Sequence, residues 1–167
     1  QRCNSALRML ESMTDDEVKD RNVQIAEMKV LRAHFYFELS RLFNRIVYFE
    51  ENYEGSISAL SNVEYTRDQI LEKLATAMED AAAVLPETQP EVGRINKYMA
   101  TAYAAKINLY RAYQQDETTH QVTSINSNLL QKVVQECDVV INSGKYGLMD
   151  NFQDLDKVST GDNCKEG

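Results

Sequence analysis

Apolar residues recur every three or four positions through most of the chain, the spacing of amphipathic helices. The pattern predicts five helices, over 1–13, 22–45, 67–85, 96–114 and 127–143. No segment shows convincing two-residue alternation, so no strands are predicted. Boundary residues support these limits. Thr66 with Gln69 three positions on makes a capping box for the third helix, and Pro86 stops it. Asn96 caps the fourth helix and Ser127 the fifth, and Gly144 supplies a left-handed residue past the end of the fifth. The period is lost over 145–167, which reads as an irregular tail.

The second helix carries the densest pattern, "QIAEMKVLRAHFYFELSRLFNRIVYF". At about 100° per residue, Met28, Leu31, Phe35, Leu39, Leu42 and Ile46 form one apolar stripe. Ala26, Val30, Ala33 and Phe37 form another on nearly the opposite side. Two opposed stripes predict an inner helix with neighbours on both sides, and with Phe35 and Phe37 both buried.

The third and fifth helices show single stripes: Ile70, Leu74, Ala77, Met78, Ala81 and Leu85, then Leu130, Val133, Val134, Cys137, Val140 and Ile141. They are expected to cover the inner helices from outside. The fourth helix alternates large Tyr103, Tyr110 and Tyr113 with small Ala100, Ala102, Ala104, Ala105 and Ala112, so helix axes can approach closely. The second and fourth helices lie about seventy residues apart, close to two tetratricopeptide periods of ~34. The fold expected is all-α: one region, 1–167, of stacked antiparallel tetratricopeptide-like helices forming an alpha-alpha superhelix. The connections at 46–65 and 115–126 are longer than a standard repeat turn, and such loops often carry binding functions.

Composition narrows the function. The formal net charge is −8, which argues against a general nucleic-acid binder. No apolar run reaches the ~20 residues that a membrane-spanning helix needs. Cys3, Cys137 and Cys164 are too irregularly spaced for a disulfide framework or a zinc site. Cys137 is expected to be a plain buried thiol.

Catalytic chemistry is sparse. His34 and His120 have no cysteine or carboxylate at ligand spacing, and His34 is expected to be a satisfied structural histidine. No GxSxG, HExxH, P-loop or GxGxxG motif occurs. Asp150, Asn151, Asp154 and Asp156 in "DNFQDLD" lack the glycine and closing glutamate of a calcium loop, so a solvated turn is expected. Glu79 and Asp80 are adjacent and diverge on a helix. Arg32, at the edge of an apolar stripe, is expected to meet a carboxylate or carbonyl from a neighbouring helix. No enzyme activity, cofactor or metal is predicted, and no ligand-binding residue is assigned.

Four stretches resemble the SusD/RagB-like family. "AEMKVLRAHFYFELSRLF" is similar to its helix [AG]-E-A-K-x-L-R-A-x-x-Y-F followed by R-x-F-G-x-V-P, through Ala26, Glu27, Lys29, Leu31, Arg32, Ala33, Tyr36, Phe37, Arg41 and Phe43. "GRINKYMATAYAAKINLY", "VVINSGKYGL" and "CNSALRML" resemble further family segments in the right order, covering about residues 3–155. The chain departs where Asn44-Arg45-Ile46-Val47 replaces G-x-V-P. Its 48–65 connection has only Tyr48, Phe49, Tyr53 and Tyr65 as aromatics.

The resemblance implies a non-catalytic surface lipoprotein of the Bacteroidetes outer membrane. Such a protein binds oligosaccharides and passes them to a TonB-dependent, SusC-like transporter, with its lipid anchor outside this segment. Family members are much longer, so the chain is expected to be an N-terminal helical part. An apolar patch on the second and fourth helices, including Tyr103 and Tyr110, is then expected to be exposed. The alternative is a tetratricopeptide-like adaptor for a peptide or protein partner.

Overall fold

The structure, a computed structural model, describes residues 1–151 and 153. Among these residues five α-helices are observed, α1 (Arg2–Ser12), α2 (Arg21–Leu42), α3 (Arg67–Val84), α4 (Lys97–Ala112) and α5 (Ser127–Asn142), with a single 3-10 turn at Ile57–Ala59. Each packs mainly on its neighbours in sequence, with little contact between α2 and α4. Ties between the helix ends show that neighbours run antiparallel. Arg21, at the start of α2, donates to the Leu10 carbonyl near the end of α1 (3.2 Å). The Lys97 N–H, opening α4, reaches the Pro86 carbonyl just past α3, and the Asn126 N–H reaches Ala112 (2.8 Å). The result is the expected all-α stack of tetratricopeptide type.

The capping chemistry holds with one shift of position. Thr66 and Gln69 form the capping box on α3, and Asn96 accepts from the Tyr98 and Met99 N–H groups. Asn126 caps α5 instead of Ser127, accepting from Asn128 and Leu129. A side-chain carbonyl one residue earlier captures the orphan donors first. Gly144 takes φ +66°, as a helix-ending left-handed residue should.

Three packing expectations are corrected. First, α3 is an inner helix: Leu71, Ala75 and Ala82 form a second buried stripe beside Ile70, Leu74 and Met78. Its small alanines allow close approach, and α2 and α4 lie on its two sides. Second, only one stripe of α2 is fully buried. Ala26, Val30, Ala33 and Phe37 are in the core, whereas Phe35 is 57% exposed and Leu39 and Leu42 are also open. The reason is length. With 11 residues α1 spans about half of the 22-residue α2. It runs alongside from Arg21 to Arg32 and leaves the C-terminal half uncovered. Third, Cys137 is exposed, as are Val134 and Ile141. The outer stripe of α5 meets no further helix among the described residues.

Tyr103 and Tyr110 are half-buried against the core, not open. Tyr110 meets the Phe37 ring edge-on at 5.2 Å, and Tyr103 meets the His34 ring at 5.1 Å. The α2 part of the expected patch is exposed, at Phe35, Leu39 and Leu42, and α5 adds Val134, Val139 and Ile141. His34 is not a satisfied histidine, because its buried Nδ1 has no hydrogen-bond partner.

Two short strands were not foreseen: β1 (Tyr113–Gln115) and β2 (Val122–Ile125), an antiparallel hairpin between α4 and α5. Every residue in both is exposed, so no apolar alternation could announce them. The turn is closed by Asp116, whose carboxylate accepts from the Thr118 and Thr119 N–H groups. Glu117 ties the turn to the exit of α2 through Arg45, and its carbonyl accepts from Asn44 (2.6 Å).

α5 is anchored by polar groups. Asn108 on α4 donates to both Glu79 of α3 (3.1 Å) and the buried Glu136 of α5 (3.0 Å). Lys132 pairs with Glu79 at 2.6 Å, and Arg111 donates to the Asn108 carbonyl oxygen. Burial pushes the Glu136 carboxyl up; the Asn108 hydrogen bond opposes this, and the nearby Glu79 charge adds to it.

Phe37→Ala is expected to cost ~3–5 kcal/mol in urea unfolding, while Phe35→Ala changes stability by less than ~1 kcal/mol. Equal losses would contradict the one-sided burial of α2. Because Glu136 has a raised folded-state pKa, its ionised form opposes folding at neutral pH. Glu136→Gln should therefore match or exceed the parent in Tm at pH 7, and the difference should shrink as pH falls towards 4.5. A Tm deficit at pH 7 that is absent at pH 5 would have the wrong sign.

Candidate functional site

The 46–65 connection folds back across α1 and α2 and is held there by one buried polar node. The Arg32 guanidinium, projecting from α2, pairs with the Glu51 carboxylate of the connection. It also donates to the Asn4 side chain of α1 at 3.0 Å. Asn4 in turn donates to the Phe49 carbonyl (3.0 Å), which also accepts from the Tyr36 hydroxyl (3.0 Å). Arg8 adds a bond to the Glu51 carbonyl. Arg32 thus has the carboxylate partner expected for it, but the carboxylate comes from the connection, and the α1 contribution is an amide. Burial alone would raise the Glu51 carboxyl. Its own backbone N–H and the Arg32 charge outweigh that and hold it below the usual range.

This anchoring gathers the aromatic residues of the connection, with Tyr48 buried in the core and Phe49, Tyr53 and Tyr65 half-buried around it. Tyr48 packs on Tyr36 at 4.8 Å and meets Tyr65 edge-on at 5.8 Å. Its hydroxyl donates to Glu50 (2.7 Å), and burial together with that hydrogen bond raises its pKa well above the ordinary tyrosine range. Lys73 of α3 lies 5.3 Å from the centre of the Tyr65 ring. Phe49 and Tyr53 stand 6.0 Å apart.

Between these groups lies an open cleft of about 490 Å³, lined by Tyr48, Phe49, Tyr53 and Tyr65 with Glu50, Asn52, Glu54, Glu64 and Lys73. Gly55 forms part of its wall, and a Cβ there would fall on the Tyr53 ring, 2.6 Å from Cζ. Aromatic faces interleaved with carboxylates, an amide and an ammonium can bind a polar ligand that also carries apolar faces.

The four aromatics that line this cleft are the same four that made the connection look poor in aromatics. Their number alone does not reveal that one chain reversal gathers them together. The signal lay in their spacing around the acidic stretch "YFEENYEG". The cleft does not include His34 or His120. No group of three or more His, Cys, Asp or Glu residues suited to a metal occurs among the described residues. Asp154, Asp156 and Cys164 lie outside the described residues. No described helix is long and apolar enough to cross a membrane.

With this geometry in place, comparison with solved structures is decisive for the fold. Surface glycan-binding protein A from Bacteroides uniformis superimposes with a TM-score of 0.76 at 21% identity, over 98% of this chain and 34% of that one. The chain has a SusD-like fold. A SusD-like protein from Bacteroides fragilis matches with a TM-score of 0.73 at 18% identity. Surface glycan-binding protein A from Bacteroides thetaiotaomicron, solved in complex with laminarihexaose, matches with a TM-score of 0.71 at 23% identity. The chain spans about a third of the length of these SusD-like structures. No protein-family model and no curated protein matches the sequence.

The node makes a pH-dependent prediction of opposite sign to that for Glu136. A carboxyl held below its unfolded pKa stabilises the fold above that pKa, and the stabilisation is lost as pH falls through the folded value. Glu51→Gln should therefore destabilise the protein at pH 7, and the gap to the parent should close below about pH 4.5. Chemical unfolding monitored at pH 7, 5 and 4 tests this, and a gap that widens with acid would contradict it.

Proposed function

We propose that this chain is the helical, ligand-binding part of a longer non-catalytic, SusD-like surface lipoprotein. Residues 1–167 form one helical region of it, the lipid anchor lies elsewhere in the protein, and the outer membrane is its location. The ligand is an oligosaccharide, which the protein passes to a TonB-dependent, SusC-like transporter. The observation that carries the reading is the cleft lined by Tyr48, Phe49, Tyr53 and Tyr65, on a fold shared with surface glycan-binding proteins. Pyranose rings offer C–H faces to aromatic rings and hydroxyls to carboxylates and amides, and both kinds of partner converge here.

The charge of the cleft narrows the ligand. Glu50, Glu54 and Glu64 outnumber the single Lys73, so a sulfated or uronic-acid glycan would meet net repulsion. A neutral oligosaccharide fits best.

The adaptor alternative has less support. A peptide groove on a tetratricopeptide stack would use free inward faces, and Ala100, Ala104 and Ile107 of α4 are buried in helix packing.

Titration of neutral and uronic-acid oligosaccharides into the full-length protein, followed by calorimetry, tests the reading. A neutral ligand should bind, and Tyr65→Ala should weaken it roughly tenfold. Gly55→Ala should also weaken it, by displacing Tyr53, with little change in Tm because Gly55 is exposed. The ligand should be recovered uncleaved. Preferential binding of acidic glycans, or binding indifferent to both substitutions, would sink the assignment of this cleft.

A further inference from the structure

Among the described residues that line the aromatic cleft, Lys73 alone stands on an α-helix; the others belong to the 46–65 connection. Its place is set by α3. Tyr65 precedes the Thr66 cap, and the reciprocal Thr66–Gln69 bonds of 2.9 and 3.2 Å fix the chain there. Lys73 follows about two turns later on the same helix. A group carried by a packed helix is held more precisely than one on a loop. The half-buried side chain brings its ammonium to 5.3 Å from the centre of the Tyr65 ring and 5.9 Å from that of Tyr48.

Among the described residues this ammonium forms no ion pair and no side-chain hydrogen bond, although Glu50, Glu54 and Glu64 line the same cleft. Lys132 and Lys145, by contrast, each pair with a glutamate. Cation–π attraction places the Lys73 charge but leaves its three N–H donors unused. Asn52, Glu54 and Glu64 are likewise without a side-chain hydrogen bond or ion pair among the described residues. The cleft thus holds a charged donor and charged acceptors that do not satisfy one another. A hydroxyl donates and accepts at once. A sugar hydroxyl set among these groups can accept from the ammonium and donate to a carboxylate.

We propose that Lys73 is the specificity-determining donor of this cleft. Its ammonium donates to a hydroxyl oxygen of the saccharide that rests against Tyr65, and the proton of that hydroxyl goes to one of the cleft glutamates. The class of ligand follows: a neutral glycan whose hydroxyl at this position is free. An acyl or alkyl group on the same oxygen would remove the proton that the carboxylate accepts and leave a buried acceptor unpaired. The inference rests on the glycan-binding reading and adds the residue that orients the sugar and selects its substitution.

The test uses the full-length protein and calorimetric titration of maltotriose, cellotriose and laminaritriose, then of monodeoxy and mono-O-methyl analogues of the tightest binder. Lys73→Met keeps an apolar stem against the rings and removes the charge and the donors. It should weaken binding roughly tenfold or more, the loss expected for a hydrogen bond to a charged group. Lys73→Arg should recover most of that loss, because charge and donors return. Tm should be unchanged in both variants, since neither breaks an ion pair or hydrogen bond of the fold. At one sugar position, deoxygenation should weaken binding to the parent roughly tenfold and cost Lys73→Met nothing further, the signature of a direct pair. O-methylation at that position should weaken the parent as well.

If the parent and Lys73→Met bind the sugar equally, the Lys73 inference fails and glycan binding stands. If Lys73→Met binds weakly but every deoxy analogue loses as much on the variant as on the parent, Lys73 acts only by propping the rings, and its role as donor is overturned. If no saccharide binds the parent, the glycan reading falls and takes this inference with it.

Discussion

The placement of Arg32 decides more of this structure than any other contact. A guanidinium leaving the middle of α2 is buried, so it must find charge and hydrogen-bond acceptors nearby. Glu51 and Asn4 supply them from two different segments. One cation thereby fixes the angle of α1, the return path of the connection and the position of the Phe49 carbonyl. Breaking a buried pair of this kind leaves an uncompensated charge, which makes the arrangement all-or-none. The aromatic cleft exists because the backbone carrying it is bolted down at this point.

Much of the helical layout is readable from residue spacing alone. The capping box at Thr66, the Asn96 cap and the Gly144 stop are local chemistry, and local chemistry survives into the fold. Packing order is less readable. α3 has a second stripe of Leu71, Ala75 and Ala82 that a search for large residues overlooks, because alanine buries a face by letting a neighbour come close. The exposure of Phe35 was not legible either. An apolar stripe records what a helix is able to bury, and the length of α1 decided what it did bury.

The candidate site was legible only as a location. A long connection between helices was the correct place to look, but its chemistry depended on a reversal set by contacts 19 and 45 residues apart in sequence. Period-based reading has no access to such pairings. The hairpin escaped for a related reason. Strands whose residues all face solvent carry no alternation, and their cue is the Asp116 turn and the Arg45–Glu117 tie, both of which need the fold to be seen.

The neighbour-to-neighbour packing of the five helices has a bearing on how the chain acquires its shape. Contacts between elements adjacent in sequence close short loops, so the entropy lost before each contact forms is small. The α3–α4 pair packs closely through buried alanines on both helices, Ala75, Ala81 and Ala82 on one and Ala100, Ala104 and Ala105 on the other. α1 and the connection arrive together, because the Arg32 node requires both. The aromatic cleft therefore depends on both α1 and α2 being in place, because the node that positions its backbone draws on each of them.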